Sequence, residues 1–379
     1  MRIGIVCYPT YGGSGVVATE LGKFLADLGH KIHFITYRTP TRLDFINENL
    51  NYHEVFIPKY PLFEYPPYEL ALASKMVNVV KYEKLDLLHV HYAIPHASAA
   101  FMAKQILKNE NLNIPVITTL HGTDITLVGK DISYAPVVAF SINKSDGVTA
   151  VSNYLKKDTY EHFKIEQEIE VIPNFIDLKR FKRQKKDHFR KAIAPNSEKV
   201  IVHISNFRKV KRVQDVLKIF SGIREVLPSK LLLIGDGPER VKMENLTREL
   251  QVADDVRFLG KLDLIEEVLS ISDLFLLPSE KESFGLAALE AMACEVPVVS
   301  SNAGGITELN IHGVTGFVSE VGNINEMVEY SIKILDNENL PKFRKQALEN
   351  AKKFDSHVVV PKYVSFYEKI SEKVSLSVK

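Results

Sequence analysis

The sequence of 379 residues has little cysteine and almost no excess charge of either sign. Its two cysteines, Cys7 and Cys294, are far apart in apolar surroundings, so they form neither a disulfide framework nor a metal quartet and are predicted to be buried thiols. Lys and Arg number 48 against 47 Asp and Glu. This balance gives no general attraction to nucleic acid or to membrane surfaces.

Long hydrophobic runs are also missing. The longest, such as "LFLLP" (274–278), have the length of a strand and fall far short of the roughly 18 apolar residues of a membrane span. The N-terminal run "RIGIVCY" (2–8) is too short for a signal peptide and is followed at once by Pro and Gly. The sequence therefore predicts a soluble, cytoplasmic protein without stable membrane association.

Strand-like and helix-like segments alternate along the chain. "RIGIVCY" is followed by helical spacing over 16–29 and by a second strand, "KIHFITY" (31–37). The same rhythm continues to a strand at "VIPNFID" (171–177), and a fresh alternation with six strand-like segments occupies 200–320. Strands alternating with helices of about 10 to 15 residues predict doubly wound α/β domains with parallel sheets.

A polar, basic stretch, "LKRFKRQKK" (178–186), separates the two alternations and is interpreted as a solvated surface. We predict a Rossmann-like N-terminal domain over 1–175 and a second over 176–356, facing each other across a cleft. A final helical segment, 357–379, could pack back on the first domain. Ligands of such sheets bind beyond the carboxyl ends of the strands, so the loops that follow strands are the expected binding segments.

The first of these loops carries Gly13, Gly15 and Ala18 in the relaxed dinucleotide pattern G-x-G-x-x-A. A nicotinamide site would also need an acidic residue at the end of the second strand. The chain reads "FITYRTP" (34–40) there and has no acidic residue in that segment. We therefore interpret the glycines as letting a substrate approach the backbone, with a plain structural turn as the alternative.

Two strand ends in the first half carry histidines. His121 lies at one of them beside Thr123 and is a candidate site residue, although a lone histidine is more often structural. His89 and His91 share a strand face, but the spacing sets no third ligand, so no metal site is predicted there. Tyr92, at the end of the same strand, is predicted to reach the cleft.

Cationic and glycine-rich loops follow two strands of the second half. The loop 205–212, "SNFRKVKR", places Arg208 and Lys211 at a strand's carboxyl end, where they are expected to bind a phosphate. The loop "GDGPE" begins with Gly235, which would let a flat ligand approach, although a simple turn would look similar.

Glu290 lies in the middle of an apolar segment, "FGLAALEAMA" (284–293), eight residues after Glu282. A helix here would separate the two carboxylates by at most about 12 Å, the scale of a nucleotide-sugar. The spacing predicts a pyrophosphate over the helix N-terminus at 283–286, a sugar near Glu282 and a ribose bound by Glu290. The predicted donor-binding residues of this segment are Ser283, Phe284, Gly285, Leu286 and Glu290.

Three features together, namely the two-domain alternation, "GDGPE", and "ESFGLAALEAMACEVPVV" (282–299) followed by "GGITEL" (304–309), resemble the retaining GT-B glycosyltransferase family of glycogen synthases and many bacterial sugar transferases. The resemblance covers essentially the whole chain. It implies the GT-B fold and transfer of a sugar from a UDP-sugar with retention of configuration. The chain has no D-x-D triplet, the simplest signature of a metal clamp on a nucleotide diphosphate, so neither a metal nor another cofactor is expected.

Within the family, the N-terminal half and the loop 205–212 are most similar to the branch that transfers GlcNAc from UDP-GlcNAc to L-malate, the first step of bacillithiol biosynthesis. This similarity implies a nucleotide-sugar and a small dicarboxylate as substrates. A transferase acting on a lipid or polysaccharide, a UDP-GlcNAc 2-epimerase and a sugar-binding protein without activity remain alternatives that fold alone does not separate. The sequence leaves a homo-oligomer open.

The resemblance also implies roles for individual residues. Lys211 would contact the diphosphate, and His121 would lie by the transferred sugar. Many relatives have an arginine where this chain has Asn206, which leaves open whether Lys211, Arg208 or both contact the diphosphate. If Arg208 is not used by the donor, it is expected to bind a malate carboxylate. The loop with Gly13 and Gly15 would lie under the diphosphate, and Asn206 and Gly235 complete the predicted donor-binding residues. The predicted catalytic residues are His121, Glu282, Arg208 and Lys211, and the predicted acceptor-binding residues are Ser14, Tyr92, Thr123 and Arg208.

Overall fold

The computed structural model describes residues 1–10, 12–43, 47–57, 61, 63–127 and 129–376. Internal contacts divide the chain into two units. Unit 1 contains Met1–Asn174 and the C-terminal residues from His357, and unit 2 contains Phe175–Ser356. Cys7 and Cys294 are buried free thiols, as predicted.

Unit 1 is built on a parallel sheet of seven strands in the order β3-β2-β1-β4-β5-β6-β7. The strands are β1 (Arg2–Val6), β2 (Lys31–Thr36), β3 (Leu50–Glu54), β4 (Leu87–His91), β5 (Val116–Leu120), β6 (Gly147–Ala150) and β7 (Ile169–Val171). Every residue of β4 and β5 is buried, as expected for central strands covered on both faces. The predicted strand at 171–177 is wrong in position, because β7 ends at Val171.

The helices described in unit 1 before residue 175 are α1 (Gly13–Asp27), α2 (Tyr68–Glu83), α3 (Ser98–Lys108), α4 (Ala135–Lys144) and α5 (Asn153–His162). Helix α1 ends before Leu28, which the predicted helical stretch included, and the Leu28 side chain is 60% exposed. Two further helical turns, 93–97 and 123–127, directly follow the segments that leave β4 and β5. These turns lie at the carboxyl edge of the sheet.

Unit 2 contains a six-stranded parallel sheet in the order β10-β9-β8-β11-β12-β13. The strands are β8 (Lys199–Ile204), β9 (Ser229–Ile234), β10 (Val256–Gly260), β11 (Leu274–Leu277), β12 (Val298–Ser301) and β13 (Gly316–Ser319). All six correspond to predicted segments. The two parallel α/β sheets confirm the predicted fold class.

The helices of unit 2 are α6 (Asp187–Ile193), α7 (Val213–Val226), α8 (Arg240–Glu249), α9 (Ile265–Ile271), α10 (Leu286–Ala293), α11 (Ile306–Leu309), α12 (Ile324–Leu335) and α13 (Leu340–Ala351). Apolar residues of α7, α12 and α13 pack on the sheet in one buried cluster that includes Phe220, Ile334 and Phe343. In each of these helices the apolar residues recur at the spacing of an amphipathic helix, so they form one face toward the core.

The interpretation of the basic stretch 178–186 as a solvated surface is wrong in part. The Arg180 Nε atom lies 3.1 Å from a carboxylate oxygen of Glu266, and Lys186 Nζ lies 3.0 Å from one of Glu267. Both acids belong to α9. The cations therefore attach the segment that enters unit 2 to the surface of that unit.

The last helix, α14 (Ser356–Leu376), returns to unit 1. The hydroxyl of its buried Tyr367 lies 2.8 Å from Nδ1 of His89 on β4. A Cβ atom at Gly147 on β6 would lie 2.8 Å from a side-chain carbon of Ile370, so the glycine lets the helix approach the sheet closely. Across the described ranges, no helix is long and apolar enough to cross a membrane.

Candidate active site

The loop that follows β1 packs closely against the first turn of α1, which contains Gly13 and Gly15. A Cβ atom at Gly15 would lie 2.4 Å from the carbonyl oxygen of Tyr8 and 2.6 Å from that of Thr10. The absence of a side chain at Gly15 thus lets the loop that follows β1 fold over the first turn of α1. The interpretation that this glycine also serves the approach of a substrate stays a prediction. Gly13 remains at the first position of α1, where backbone N–H groups are free to bind an anion.

The predicted acceptor-binding hydroxyls of unit 1 lie together. The Tyr92 hydroxyl donates a hydrogen bond of 2.6 Å to Oγ of Ser14, although the two residues are 78 positions apart in the chain. Thr123 interacts with the same phenol. Burial raises the pKa of Tyr92 to about 12, so its hydroxyl remains a neutral donor at physiological pH.

His121 lies beside this cluster of hydroxyl-bearing side chains. Its ring centroid is 5.3 Å from that of Tyr92, and its Nε2 atom lies 2.7 Å from Nδ1 of His91. Burial lowers the pKa of His121 to about 3, so the imidazole is neutral near pH 7. A neutral imidazole offers one hydrogen-bond donor and one acceptor, which suits contact with sugar hydroxyls.

The carboxylate of Asp124 joins the two strand ends that carry these groups. One oxygen accepts the N–H of Ala93 at 2.9 Å, and the other accepts the N–H of Gly122 at 3.0 Å. Burial raises the pKa of Asp124 to about 6. The residue was not among the predicted site residues. A buried carboxylate between two strand-to-helix turns fixes their separation, a role that only the tertiary structure reveals.

Both ring nitrogens of His89 have partners within the protein. Its Nε2 atom lies 2.7 Å from Oγ1 of Thr119, and its Nδ1 atom contacts Tyr367. Neither His89 nor His91 belongs to a group of three metal-ligand atoms within the described ranges.

In unit 2, Gly235 and the loop after β8 are in direct backbone contact. A Cβ atom at Gly235 would lie 1.7 Å from the carbonyl oxygen of Ser205, and one at Gly237 would lie 2.0 Å from that of Asn206. Gly235 also has a φ of +117°, which disfavours any side chain. Both glycines therefore serve contact between two loops of the protein, and the interpretation that Gly235 admits a flat ligand stays a prediction.

Lys211 and Glu282 are brought together at the carboxyl edge of the second sheet. The Lys211 Nζ atom lies 2.7 Å from Oε2 of Glu282, and both side chains are largely buried. A backbone hydrogen bond of 2.8 Å from the N–H of Glu280 to the carbonyl of Val210 joins the two loops. The two residues predicted to contact the diphosphate and the hexose are thus adjacent in the structure.

The other cations of the loop 205–212 differ in their contacts. Arg212 is held by Asp215, whose carboxylate lies 2.5 Å from Nε. Arg208 and Asn206 are exposed. Within the described parts of the chain, the Arg208 guanidinium makes no hydrogen bond or ion pair, so it remains available to an anion.

The helix that carries Glu290 begins at Leu286, two residues later than predicted. Gly285 precedes it with a φ of +96°, and a Cβ atom there would lie 2.5 Å from Cδ1 of Ile306. The Phe284 side chain is buried, with its ring 5.6 Å from that of Phe354, so a ligand would meet the backbone of this residue. Glu290 is 5% exposed within the helix, and Ser283 is half-buried before it.

Comparison with known proteins gives two family matches that together cover most of the chain. Residues 11–180 match Glycosyltransferase Family 4, and residues 184–354 match Glycosyl transferases group 1. The N-acetyl-alpha-D-glucosaminyl L-malate synthase of Bacillus anthracis is 48% identical over 370 residues, which cover 97% of this chain and 96% of that protein.

Solved structures show the same fold at lower identity. A sucrose-phosphate synthase from Thermosynechococcus elongatus superimposes with a TM-score of 0.80 at 21% identity, covering 98% of this chain and 99% of that one. The Anabaena protein Alr3699/HepE, solved with UDP and glucose, superimposes with a TM-score of 0.79 at 21% identity, covering 99% of each chain. These two superpositions confirm the predicted GT-B architecture.

Proposed function

The chain belongs to the group 1 glycosyl transferases of the GT-B fold, and on that premise we propose that it transfers GlcNAc from UDP-GlcNAc to the hydroxyl of L-malate. The observation that carries the proposal is the 48% identity to a GlcNAc-malate synthase over 97% of the chain. Retention of configuration, independence of metal ions and a cytoplasmic location belong to the proposal. So does a place at the first step of bacillithiol biosynthesis.

In this proposal, unit 2 holds the nucleotide-sugar. Lys211 contacts the diphosphate, since it is the cation of the loop after β8 that lies next to Glu282. Glu282 accepts hydrogen bonds from the hexose, and Glu290 does so from the ribose. Backbone N–H groups at Ser283 and the start of α10 add the partial positive charge of a helix N-terminus.

Unit 1 supplies neutral hydrogen-bonding groups. Ser14, Tyr92 and Thr123 form a cluster of hydroxyls that suits an oxygen-rich acceptor such as malate. His121 lies beside them and is proposed to contact the transferred sugar. Arg208 of unit 2, which has no partner in the described chain, is proposed to bind a carboxylate of the acceptor.

The proposed reaction is a front-face displacement. The bond from the anomeric carbon to the UDP oxygen breaks, and the bond from that carbon to the malate hydroxyl oxygen forms on the same face. The hydroxyl proton passes to the departing phosphate, so no protein base is required. Catalysis then rests on orientation of the substrates and on stabilisation of the leaving diphosphate by Lys211 and the N–H groups before α10.

Mass spectrometry of UDP-GlcNAc incubated with the protein tests the proposal. The incubations contain L-malate, other hydroxy acids, or no acceptor. We expect GlcNAc-malate with an equal amount of UDP only when L-malate is present. Conversion of UDP-GlcNAc without an acceptor would instead indicate a 2-epimerase. Survival of UDP-GlcNAc in the presence of malate would contradict the proposed donor and acceptor.

A further inference from the structure

His91 and His121 meet end to end across two neighbouring strands. His91 is the last residue of β4, and His121 directly follows β5. Their nearest nitrogens, Nδ1 of His91 and Nε2 of His121, are 2.7 Å apart, while the ring centroids are 5.0 Å apart and the planes differ by 27°. The rings thus point their nitrogens at each other in nearly one plane, which is the geometry of an N–H···N hydrogen bond.

The second nitrogen of His91 decides which ring donates. His91 Nε2 is buried and has no hydrogen-bond partner among the described residues. If His121 donated to Nδ1, the proton of neutral His91 would lie on Nε2 as a buried N–H without an acceptor, which is rare and costly in folded proteins. If His91 donates from Nδ1, its Nε2 carries only a lone pair. The second arrangement is favoured.

This arrangement fixes the proton of His121. Since Nε2 accepts from His91, the single proton of the neutral ring lies on Nδ1. Burial holds the pKa values of both rings far below 7, so neither ring is charged at physiological pH. The Nδ1 atom of His121 makes no hydrogen bond in the described part of the chain, and the residue is only partly buried. Its N–H is therefore available to a ligand.

The surroundings hold the His91 ring in place. The backbone carbonyl of His91 accepts a hydrogen bond from Nδ1 of His96, and the His89 ring packs against the His91 ring with centroids 4.4 Å apart. Asp124 binds the backbone on both sides of the pair, at Ala93 and at Gly122. These contacts restrain the direction of the donor nitrogen of His91.

We propose that His91 is a positioning residue that keeps His121 in its Nδ1–H form, so that His121 donates a hydrogen bond to an oxygen of the bound sugar. The contact with the sugar rests on the proposed function, whereas the tautomer of His121 does not. His121 therefore serves as a hydrogen-bond donor and does not act as a general base toward the ligand through Nδ1.

Long-range ¹⁵N–¹H NMR of the ¹⁵N-histidine-labelled protein tests the tautomer directly. His121 is assigned by comparison with His121→Asn. We expect the proton on Nδ1 in the wild type and a shift toward the Nε2–H form in His91→Leu, which has no donor for Nε2. His91→Asn is the matched control, because its amide nitrogen occupies the place of Nδ1 and should preserve the Nδ1–H form.

Kinetics with UDP-GlcNAc and malate test the consequence. We expect His91→Leu to lower kcat/KM about 10-fold or more through misorientation of His121, and His91→Asn to restore most of the loss. Circular dichroism melting of both variants reports any change in folding. A wild-type spectrum with the proton of His121 on Nε2 would overturn the inference. So would an unchanged kcat/KM in a folded His91→Leu. If no GlcNAc-malate forms but the Nδ1–H form is observed, only the proposed function fails.

Discussion

Lys211 and Glu282 form an ion pair of 2.7 Å between the loops that follow β8 and β11, which are neighbouring strands in the second sheet. The Lys211 side chain is 22% exposed and the Glu282 side chain 14%. In this state each group neutralises the other. A bound diphosphate would compete with Glu282 for the Lys211 ammonium, and a bound hexose would compete with Lys211 for the Glu282 carboxylate.

Removal of the Lys211 ammonium should therefore impair the chemical step. We expect Lys211→Met to lower kcat about 100-fold, the usual effect of losing one group that stabilises developing charge, and to weaken UDP binding as well. Steady-state kinetics and calorimetric titration with UDP measure the two effects. Lys209→Met, which removes a neighbouring exposed ammonium, should leave both within about twofold. Equal losses in the two variants would indicate a general effect of loop charge.

The proximity of Lys211 and Glu282 could be anticipated only in part. Each follows a strand predicted from its apolar run, so both belong at one sheet edge. The sequence does not give the strand order, however, and β8 lies next to β11 only because the chain crosses over after β10. A pattern of apolar residues identifies strands but not their neighbours.

The glycines show a different limit. Gly235, in the loop after β9, and Gly15, in the first turn of α1, lie where ligand approach and backbone contact require the same absence of a side chain, so sequence alone cannot separate the two reasons. Helix α2 is not among the predicted segments, although Leu72, Met76 and Val80 recur at four-residue intervals and are buried. Strand β3, with three half-buried residues of mixed polarity at the sheet edge, carries little signal.

Loss of Arg208 should affect the acceptor more than the donor, because its guanidinium has no partner within the described chain whereas Lys211 has one. We expect Arg208→Ala to raise the KM for malate at least about 10-fold, since a charge-assisted hydrogen bond contributes on the order of 1.5–3 kcal/mol. The KM for UDP-GlcNAc should change less than about twofold. Lys209→Ala is the control. An unchanged KM for malate in Arg208→Ala would contradict the proposal that Arg208 binds a malate carboxylate.

Substitution of Gly235 tests the contact between the loops after β8 and β9. We expect Gly235→Ala to lower the free energy of unfolding by more than about 2 kcal/mol, because its Cβ would lie 1.7 Å from the carbonyl oxygen of Ser205. Gly313→Ala is the control, because its φ of +73° is also positive but its Cβ would meet nothing within 4 Å. Urea unfolding should show a clearly smaller loss of unfolding free energy for Gly313→Ala. Similar losses in the two variants would mean that the positive φ, and not the contact with Ser205, causes the effect.

The buried histidines of unit 1 should make its stability fall in mild acid. Burial lowers the pKa of His89 to about 3 and of His96 to about 4, from an ordinary value of 6.5. Below pH 6.5 the unfolded chain binds protons that the folded chain does not, so each histidine removes about 1.4 kcal/mol of stability per pH unit as the pH falls toward the folded pKa. Asp124, whose pKa is raised to about 6, opposes this between about pH 4 and 6.

Urea unfolding at pH 7.5 and pH 5.5, followed by circular dichroism, measures this dependence. His89→Gln removes one titrating group and should reduce the pH dependence of the free energy of unfolding. His188→Gln, at an exposed position on α6, is the control and should leave it unchanged. A pH dependence in His89→Gln equal to that of the wild type would show that His89 does not remain neutral in the folded protein.

Chelation of divalent ions should leave turnover intact, because the proposed stabilisation of the diphosphate comes from Lys211 and from the N–H groups before α10. The two ligand clusters found in the described chain, His33–His53–Glu83 and Asp158–Glu161–His162, contain none of the residues proposed to bind the donor. We expect the same kcat with excess EDTA as with added Mg²⁺ or Mn²⁺. Loss of turnover in EDTA that added Mg²⁺ restores would show that a metal ion, and not the protein's own cations, neutralises the leaving group.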